Sequence, residues 1–132
     1  MEEFTVKTRG RTEFVNITGQ VERVVAETAI DQGLCVVYVP HTTAGVTINE
    51  NADRDVVRDV LDETNKVIPF EDKYHHVEGN SAAHIKSSLF GCSQMIPITG
   101  GRLALGTWQG IFFAEFDGPR SRRVYVQTIS QR

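Results

Sequence analysis

The sequence predicts a mainly β, α+β fold: one antiparallel β-sandwich-like domain over residues 1–132, with two or three short helices. Three observations predict it. About seven or eight segments have the alternating or continuous apolar pattern that is typical of strands. Turn residues separate several of these segments. Only two or three segments have helical periodicity, and 132 residues suit a single domain with an ordinary core.

The first two predicted strands are residues 3–9 and 12–17. Both alternate apolar and polar side chains, and Gly10 lies between them, so we expect them to form a hairpin. The pattern then changes to helical spacing. Thr18 is the expected N-cap of this helix, and Gly33 follows its expected end.

A buried central strand is predicted next. Residues 34–39 are a continuous apolar and β-branched run between Gly33 and Pro40. An alternating pattern then predicts a further strand at residues 43–48. His41 therefore stands at the junction where the central strand ends.

The clearest helix in the sequence follows these strands. Charged side chains cover one of its faces, and the other face is apolar, with Val56, Val57, Val60 and Leu61. We expect Asn49 or Asn51 to cap this helix and Pro69 to end it. A long polar loop then leads to a short helix that is capped by Asn80 or Ser81 and closed by Gly91.

The last third of the chain predicts four more strands. Turn sequences separate them in pairs: residues 93–99 and 102–106 around Gly100-Gly101, and residues 108–116 and 123–129 around Asp117-Gly118-Pro119. The whole pattern contains no internal repeat and no linker. It therefore supports one domain.

Composition excludes several classes of protein. A net charge of −3 and a pI near 5.8 argue against a nucleic-acid-binding protein, which needs a basic face. No apolar run has the length of a signal peptide core or a membrane span, so we expect a cytoplasmic protein without membrane contact. The two cysteines, Cys35 and Cys92, are too few to form a disulfide framework in a chain of this size. Cys35 lies in an apolar run and is expected in the core. Cys92 lies near the histidines, and no second cysteine or base motif beside it supports a ligand or nucleophile role.

Three of the four histidines lie within ten residues, in the segment HHVEGNSAAHIKSSLFG at residues 75–91. His84 falls in the first turn of the short helix, where the helix dipole favours the neutral imidazole that binds metals. Ser87 and Ser88 follow on the same helix and could face an anion. His75 and His76 are neighbours in an extended segment, so only one of them can face His84. Ordinary hydrogen-bonded loop histidines are the alternative.

Four residues elsewhere are further candidates for a site. Glu50 and Glu115 could supply acid–base chemistry or orient a metal ligand. Glu115 could equally be a solvent-facing strand residue. Trp108 and Gln109 could form a platform for a ligand, although Trp108 could also belong to the core.

An arginine-rich segment follows the turn at residues 117–119. Arg120, Arg122 and Arg123 could bind a phosphate, since a guanidinium group donates two parallel hydrogen bonds to phosphate oxygens and the turn would fix its direction. A solvated charged surface is the alternative.

The chain resembles the YjbQ-like family, whose members are often labelled secondary thiamine-phosphate synthases. The resemblance covers nearly the whole chain. It rests on three motifs in this order: HTTAGVTINEN at residues 41–51, YHHVEGNSAAHIKSSLFG at residues 74–91, and IPITGGRLALGTWQGIFFAEFDGPRSR at residues 96–122.

This resemblance implies a β-sandwich-like subunit, a homotrimer and a metal site near the subunit boundaries. The family pattern Tyr-x-His selects His76 rather than His75. The implied ligands are His41, His76 and His84, with Glu50, Glu115 and Arg120 nearby. The expected cofactor is a divalent metal, with zinc as the first choice, because imidazole ligands suit it, and magnesium as the alternative.

The resemblance also implies an activity on small phosphorylated metabolites. The family label predicts that hydroxymethylpyrimidine diphosphate is joined to a thiazole phosphate, as a main or as a secondary activity. A metal-dependent hydrolase of a phosphorylated metabolite is one alternative, because a three-histidine site also suits water activation. A non-catalytic trimer that binds a metal or another ligand is the other.

Overall fold

A computed structural model describes residues 1–131 of the chain. It has three helices and eight strands: β1 (Glu2–Lys7), β2 (Glu13–Asn16), α1 (Thr18–Thr28), β3 (Gly33–Tyr38), β4 (Ala44–Glu50), α2 (Arg54–Val67), α3 (Ser81–Phe90), β5 (Ser93–Thr99), β6 (Arg102–Leu103), β7 (Gln109–Glu115) and β8 (Ser121–Ser130). This confirms the mainly β, α+β fold class.

Two antiparallel sheets form the body of the protein. The larger has the strand order β1-β8-β3-β5-β6, and the smaller has the order β2-β7-β4. The apolar core contains side chains of both sheets, such as Cys35 and Val126 from the first and Val46 and Phe113 from the second. β3 is the middle strand of the larger sheet, so the prediction of a central strand at residues 34–39 is confirmed.

The predicted N-terminal hairpin is wrong. β1 pairs with β8 from Glu2↔Val126 to Lys7↔Ser121, and β2 pairs with β7 in the other sheet. The two strands were recognised from their alternation, but alternation does not identify the partner of a strand. The partners of β1 and β2 lie about a hundred residues further along the chain, beyond the reach of any local pattern.

Two helix caps also differ from the prediction. Ile17 is the N-cap of α1, and the Thr18 hydroxyl instead accepts a hydrogen bond from the Ile111 amide at 2.8 Å. The helix ends at Ala29 in the left-handed region (φ 58°), before Gly33. α2 is capped by Asp53, whose carboxylate accepts from the Asp55 amide at 2.9 Å, rather than by either predicted asparagine.

The glycine turn between β5 and β6 is confirmed. Gly100 and Gly101 have φ values of 58° and 76°, a backbone region that glycine adopts at little cost. β6 itself is shorter than expected and spans only Arg102–Leu103. The second turn, at residues 117–119, carries the chain from the smaller sheet to the larger one.

The position of α3 is fixed by its close contact with β4. The Ser87 hydroxyl donates to the Ala44 carbonyl at 2.7 Å, and the Val46 amide donates to the Gly91 carbonyl at 3.1 Å. A Cβ on Gly45 would lie 2.5 Å from that same carbonyl oxygen. The approach therefore requires glycine at this position. It fixes the position of α3, the helix that carries His84, against β4. No helix within residues 1–131 is long and apolar enough to cross a membrane.

Candidate functional site

A pair of histidines lies where the loop after α2 meets the first turn of α3. The rings of His76 and His84 are 5.4 Å apart between centroids and almost perpendicular, at 88°. Both line one pocket, as expected if one residue of the His75–His76 pair turns towards His84. His75 is exposed and takes no part in this ring contact. The structure therefore brings together two of the three predicted metal ligands.

The pocket beside this pair is polar and has a volume of about 490 Å³. Arg120 lines it and is held by Asp117, whose backbone carbonyl accepts from Nε at 2.9 Å and whose carboxylate accepts from Nη2 at 3.2 Å. The side-chain nitrogen of Asn80, Nδ2, donates to the same carboxylate at 2.9 Å. Asn80 Oδ1 is buried and has no hydrogen-bond partner within residues 1–131. The pocket thus contains a fixed guanidinium group, and a buried acceptor without a partner belongs to a residue of its wall.

His41 lies outside this histidine pair in a single chain. Its Nε2 accepts a hydrogen bond from the Arg123 amide at 2.9 Å. Burial and the charges of Arg122 and Arg123 lower the pKa of His41, which keeps the imidazole neutral and able to accept that bond. Across residues 1–131, no three His, Cys, Asp or Glu side chains form a group that could hold a metal ion. The three-histidine site stays a prediction.

Glu115 is fully buried beneath the pocket. Its Oε1 accepts from Arg122 Nε at 2.8 Å and from the Thr8 hydroxyl at 2.8 Å, and its Oε2 accepts from the Asp117 amide at 2.9 Å and from Arg122 Nη2. Arg122 Nη2 also donates to the Thr43 hydroxyl at 2.9 Å. The alternative that Glu115 faces solvent is wrong, because residues 110–115 of β7 are all buried. The carboxylate orients the turn that holds Asp117.

Three further candidates lie elsewhere in the chain. The register of β4 and β7 pairs Glu50 with Gln109 and Ala44 with Glu115, so Glu50 and Glu115 stand about 20 Å apart along the strands. Glu50 instead lines a separate cavity of about 500 Å³ beside α2. Trp108 is 64% exposed, so it is not a core residue. Gln109 is occupied, since its side-chain oxygen accepts from the Gly106 amide at 2.7 Å.

The two serines of α3 that were candidates for anion binding, Ser87 and Ser88, have structural hydrogen bonds. Ser87 is buried and donates to β4, as described above. Ser88 is exposed and donates to the His84 carbonyl at 2.9 Å. Neither lines the pocket of the histidine pair. Their predicted role in binding an anion has no direct contact to support it in a single chain.

The loop that carries His76 is anchored through Phe70. The Arg11 guanidinium lies 3.6 Å from the centroid of the Phe70 ring, and the Lys86 ammonium lies 4.3 Å from it. Lys86 is fully buried and donates to Asn65 Oδ1 on α2. Burial, and then the charge of Arg11, lower the pKa of Lys86 to about 8. Lys86 thus ties this loop to α3, the helix that carries His84.

Sequence patterns did not single out two residues that shape the pocket. Asp117 is indicated by the sequence as a turn residue and as a carboxylate at the end of an apolar run, but not as the residue that fixes Arg120 three positions further on. Arg122 was grouped with its charged neighbours. It has the same strand parity as Val124 and Val126, which are both buried, and this alternation is the signal for its buried position.

Comparison with known proteins gives a consistent picture. The family model described as UPF0047 protein YjbQ-like matches residues 2–131. A UPF0047 protein of Methanocaldococcus jannaschii is 53% identical over 129 residues, which is 98% of this chain and 94% of the relative. The UPF0047 protein YugU of Bacillus subtilis is 52% identical over 125 residues, covering 94% of this chain and 95% of YugU.

Solved structures agree with the fold. A conserved protein of the YjbQ/UPF0047 family from Clostridium acetobutylicum superposes with a TM-score of 0.96 at 55% identity, covering 98% of this chain and all of that one. A YbjQ-like protein of unknown function from Sulfolobus solfataricus superposes with a TM-score of 0.95 at 32% identity, covering 98% and 96%. These likenesses extend over nearly the whole chain.

Proposed function

The chain belongs to the UPF0047 family of YjbQ-like proteins, and we propose that it is a metal-dependent enzyme that acts on a small phosphorylated metabolite in the polar pocket. The observation that carries this proposal is the perpendicular His76–His84 pair, which lines the same pocket as Arg120. A metal-binding pair and a fixed guanidinium group in one pocket suit chemistry at a phosphate.

The side chains of the pocket fit a divalent metal in part. His76 and His84 would supply two imidazole nitrogens, which zinc and similar ions prefer. His41 would be the third ligand, either by giving up its bond to the Arg123 amide or by approaching from a neighbouring copy of the chain. Glu78 and Asp117 also line the pocket, and their oxygens would suit magnesium as the alternative ion. A bound ion would polarise a phosphoryl oxygen or lower the pKa of a bound water.

Arg120 is the residue that would hold the phosphate. Asp117 occupies its Nε and one hydrogen-bonding direction of Nη2, so the Nη1 group remains free to donate to a ligand. The fixed guanidinium would bind a phosphate without first losing side-chain freedom. Asn80 Oδ1, buried and without a partner among residues 1–131, would accept a hydrogen bond from a substrate hydroxyl or a positioned water.

Thiamine-phosphate synthesis is the first reaction to test. The motifs of the chain suggest it, and Arg120 would stabilise the diphosphate that departs when the pyrimidine is joined to the thiazole phosphate. Hydrolysis of a phosphate ester is the second candidate. The imidazole donors favour it, because nitrogen-ligated ions suit water activation whereas diphosphate chemistry usually employs magnesium held by oxygen. The cytoplasm is the proposed location for either reaction.

A direct assay separates these reactions. Purified protein would receive hydroxymethylpyrimidine diphosphate and thiazole phosphate, or a panel of phosphate monoesters, each with zinc or magnesium. We expect product formation to fall at least about tenfold in His84→Ala and to persist in Leu89→Ala, an exposed change on the same helix. If no substrate gives product above the His84→Ala level with either metal, the enzymatic proposal is wrong.

We further propose that the protein is a homotrimer and that the outer face of the larger sheet carries the contact. This sheet face has exposed apolar side chains in neighbouring strands: Leu34, Tyr38, Met95 and Ile129. Such a surface favours burial against another copy. The sheet face leads to His41, three residues beyond Tyr38, so a neighbouring copy bound there would lie close to this predicted ligand.

A further inference from the structure

The histidine pair is the shared wall of two different pockets. On one side is the polar pocket with Arg120, Asp117 and Asn80. On the other side is a second pocket of about 460 Å³, whose surface is mostly apolar. His76 and His84 line both. A ligand bound at the histidines can therefore extend in two directions, into surroundings of opposite polarity.

The second pocket gains its apolar character from Tyr74 and Ile85. The Tyr74 hydroxyl donates to the Pro69 carbonyl at 2.5 Å, so its proton is already used in a hydrogen bond. The surface that Tyr74 contributes to the pocket is the apolar surface of its ring. Ile85 follows His84 on α3 and is 39% exposed, which leaves its side chain accessible to a ligand. Exposed apolar surface in a concavity favours burial of an apolar group.

The charged residues around the second pocket indicate which kind of chemical group it could bind. Lys73 stands at its edge, and among the described residues no carboxylate lines it. A cationic group would therefore find no carboxylate to pair with there. The two perpendicular imidazoles and the Tyr74 ring suit a flat, neutral ring, which can contact aromatic faces and edges.

We infer that the second pocket is a subsite for a compact, neutral aromatic ring, carried by the same molecule whose phosphate group binds beside Arg120. This deepens the proposed function and rests on it. The substrate class is then an aromatic phosphate or phosphate ester, with the ring and the phosphate on opposite sides of the histidine pair. A phosphorylated sugar or polyol would leave the second pocket without an apolar partner.

Two non-hydrolysable probes test this inference without any turnover. Zinc-loaded protein would be titrated with phenylphosphonate and with methylphosphonate, which share the anionic group and differ in the ring. We expect phenylphosphonate to bind about tenfold more tightly, which corresponds to about 1.4 kcal/mol. Ile85→Asn should remove most of this difference and leave the affinity for methylphosphonate unchanged. Leu89→Asn, one turn further along α3 and 70% exposed, is the matched control and should keep the difference.

The outcomes separate the subsite from the proposed function. Equal affinity for the two phosphonates, or a preference that Ile85→Asn does not reduce, overturns the ring subsite and leaves the phosphate pocket standing. If neither phosphonate binds, the phosphate assignment is wrong and the two-part substrate is wrong with it. Benzyl alcohol then decides the rest by NMR: a shift of the Ile85 methyl signals supports an apolar subsite that needs no phosphate, and no shift overturns the subsite as well.

Discussion

At the scale of single residues, the most constrained group is the buried pair of Glu115 and Arg122. Both side chains are removed from water, and each has its hydrogen bonds satisfied by the other, by Thr8 or by Thr43. The pair lies under the turn that carries Asp117 and Arg120. Its role is therefore to position Arg120, which itself remains accessible at the surface.

Removing one member of this pair is expected to destabilise the protein strongly. Arg122→Leu leaves a buried carboxylate without its cation, which costs about 3–5 kcal/mol in the free energy of unfolding. Arg123→Leu, an exposed neighbour, should change that free energy by less than about 0.5 kcal/mol. Urea denaturation of both variants measures the difference. Similar stabilities of the two variants would contradict the role given to the pair.

The same pair predicts sensitivity to acid. Burial raises the pKa of Glu115, but hydrogen bonds from Arg122, the Asp117 amide and Thr8 outweigh it and lower the pKa overall. The carboxylate therefore contributes its stability fully above its unfolded pKa of about 4.3, and the contribution is lost as pH falls through the lower folded value. Wild type should lose stability more steeply than Glu115→Gln below about pH 4.3. Parallel curves would show that Glu115 is not the responsible group.

At the scale of elements, the site depends on how closely α3 approaches β4. Gly45→Ala would place a methyl group against the Gly91 carbonyl, and we expect it to cost about 1–3 kcal/mol of stability. Gly19→Ala is the control, because a Cβ there meets no atom within 4 Å and alanine favours the helix by up to about 1 kcal/mol. Thermal unfolding should rank Gly19→Ala at or above wild type and Gly45→Ala below it. The reverse order would refute the close contact.

Most elements could be predicted from the sequence because their signals are local. The apolar run before His41 identified the central strand, and Gly100-Gly101 identified a hairpin. Strand pairing could not be predicted in the same way, since β1 and β2 enter different sheets and find partners in distant parts of the chain. The predicted cap of α1 was wrong for a related reason, because the Thr18 hydroxyl accepts a hydrogen bond from Ile111, a residue distant in sequence.

The candidate site was predictable where its residues share one stretch of sequence. Alternation and the position of the short helix were sufficient to relate His84 to one of two adjacent histidines. The bond between Asp117 and Arg120 could not be predicted, because it depends on a turn that joins the two sheets, whereas the burial of Arg122 follows from strand alternation with Val124 and Val126. His41 instead accepts a hydrogen bond from the Arg123 amide, a contact between distant parts of the chain that no local pattern indicates.

At the scale of the whole molecule, the exposed apolar face of the larger sheet is the main feature left without a partner. Light scattering is expected to give the mass of a trimer for wild type. Met95→Lys, in the middle of that sheet face, should shift the protein towards monomer, whereas Leu89→Lys on α3 should not. A monomeric wild type would contradict the assembly and, with it, any ligand supplied by a neighbouring copy.

We propose that His76 and His84 are two ligands of one metal site. Calorimetric titration of metal-free protein with zinc measures the affinity and the number of ions bound at this site. Wild type and His75→Ala should bind about one ion per chain, and His76→Ala and His84→Ala should bind at least about tenfold more weakly, because each loses one imidazole ligand. If wild type binds no zinc, or if His84→Ala binds zinc as tightly as wild type, His76 and His84 do not form a metal site.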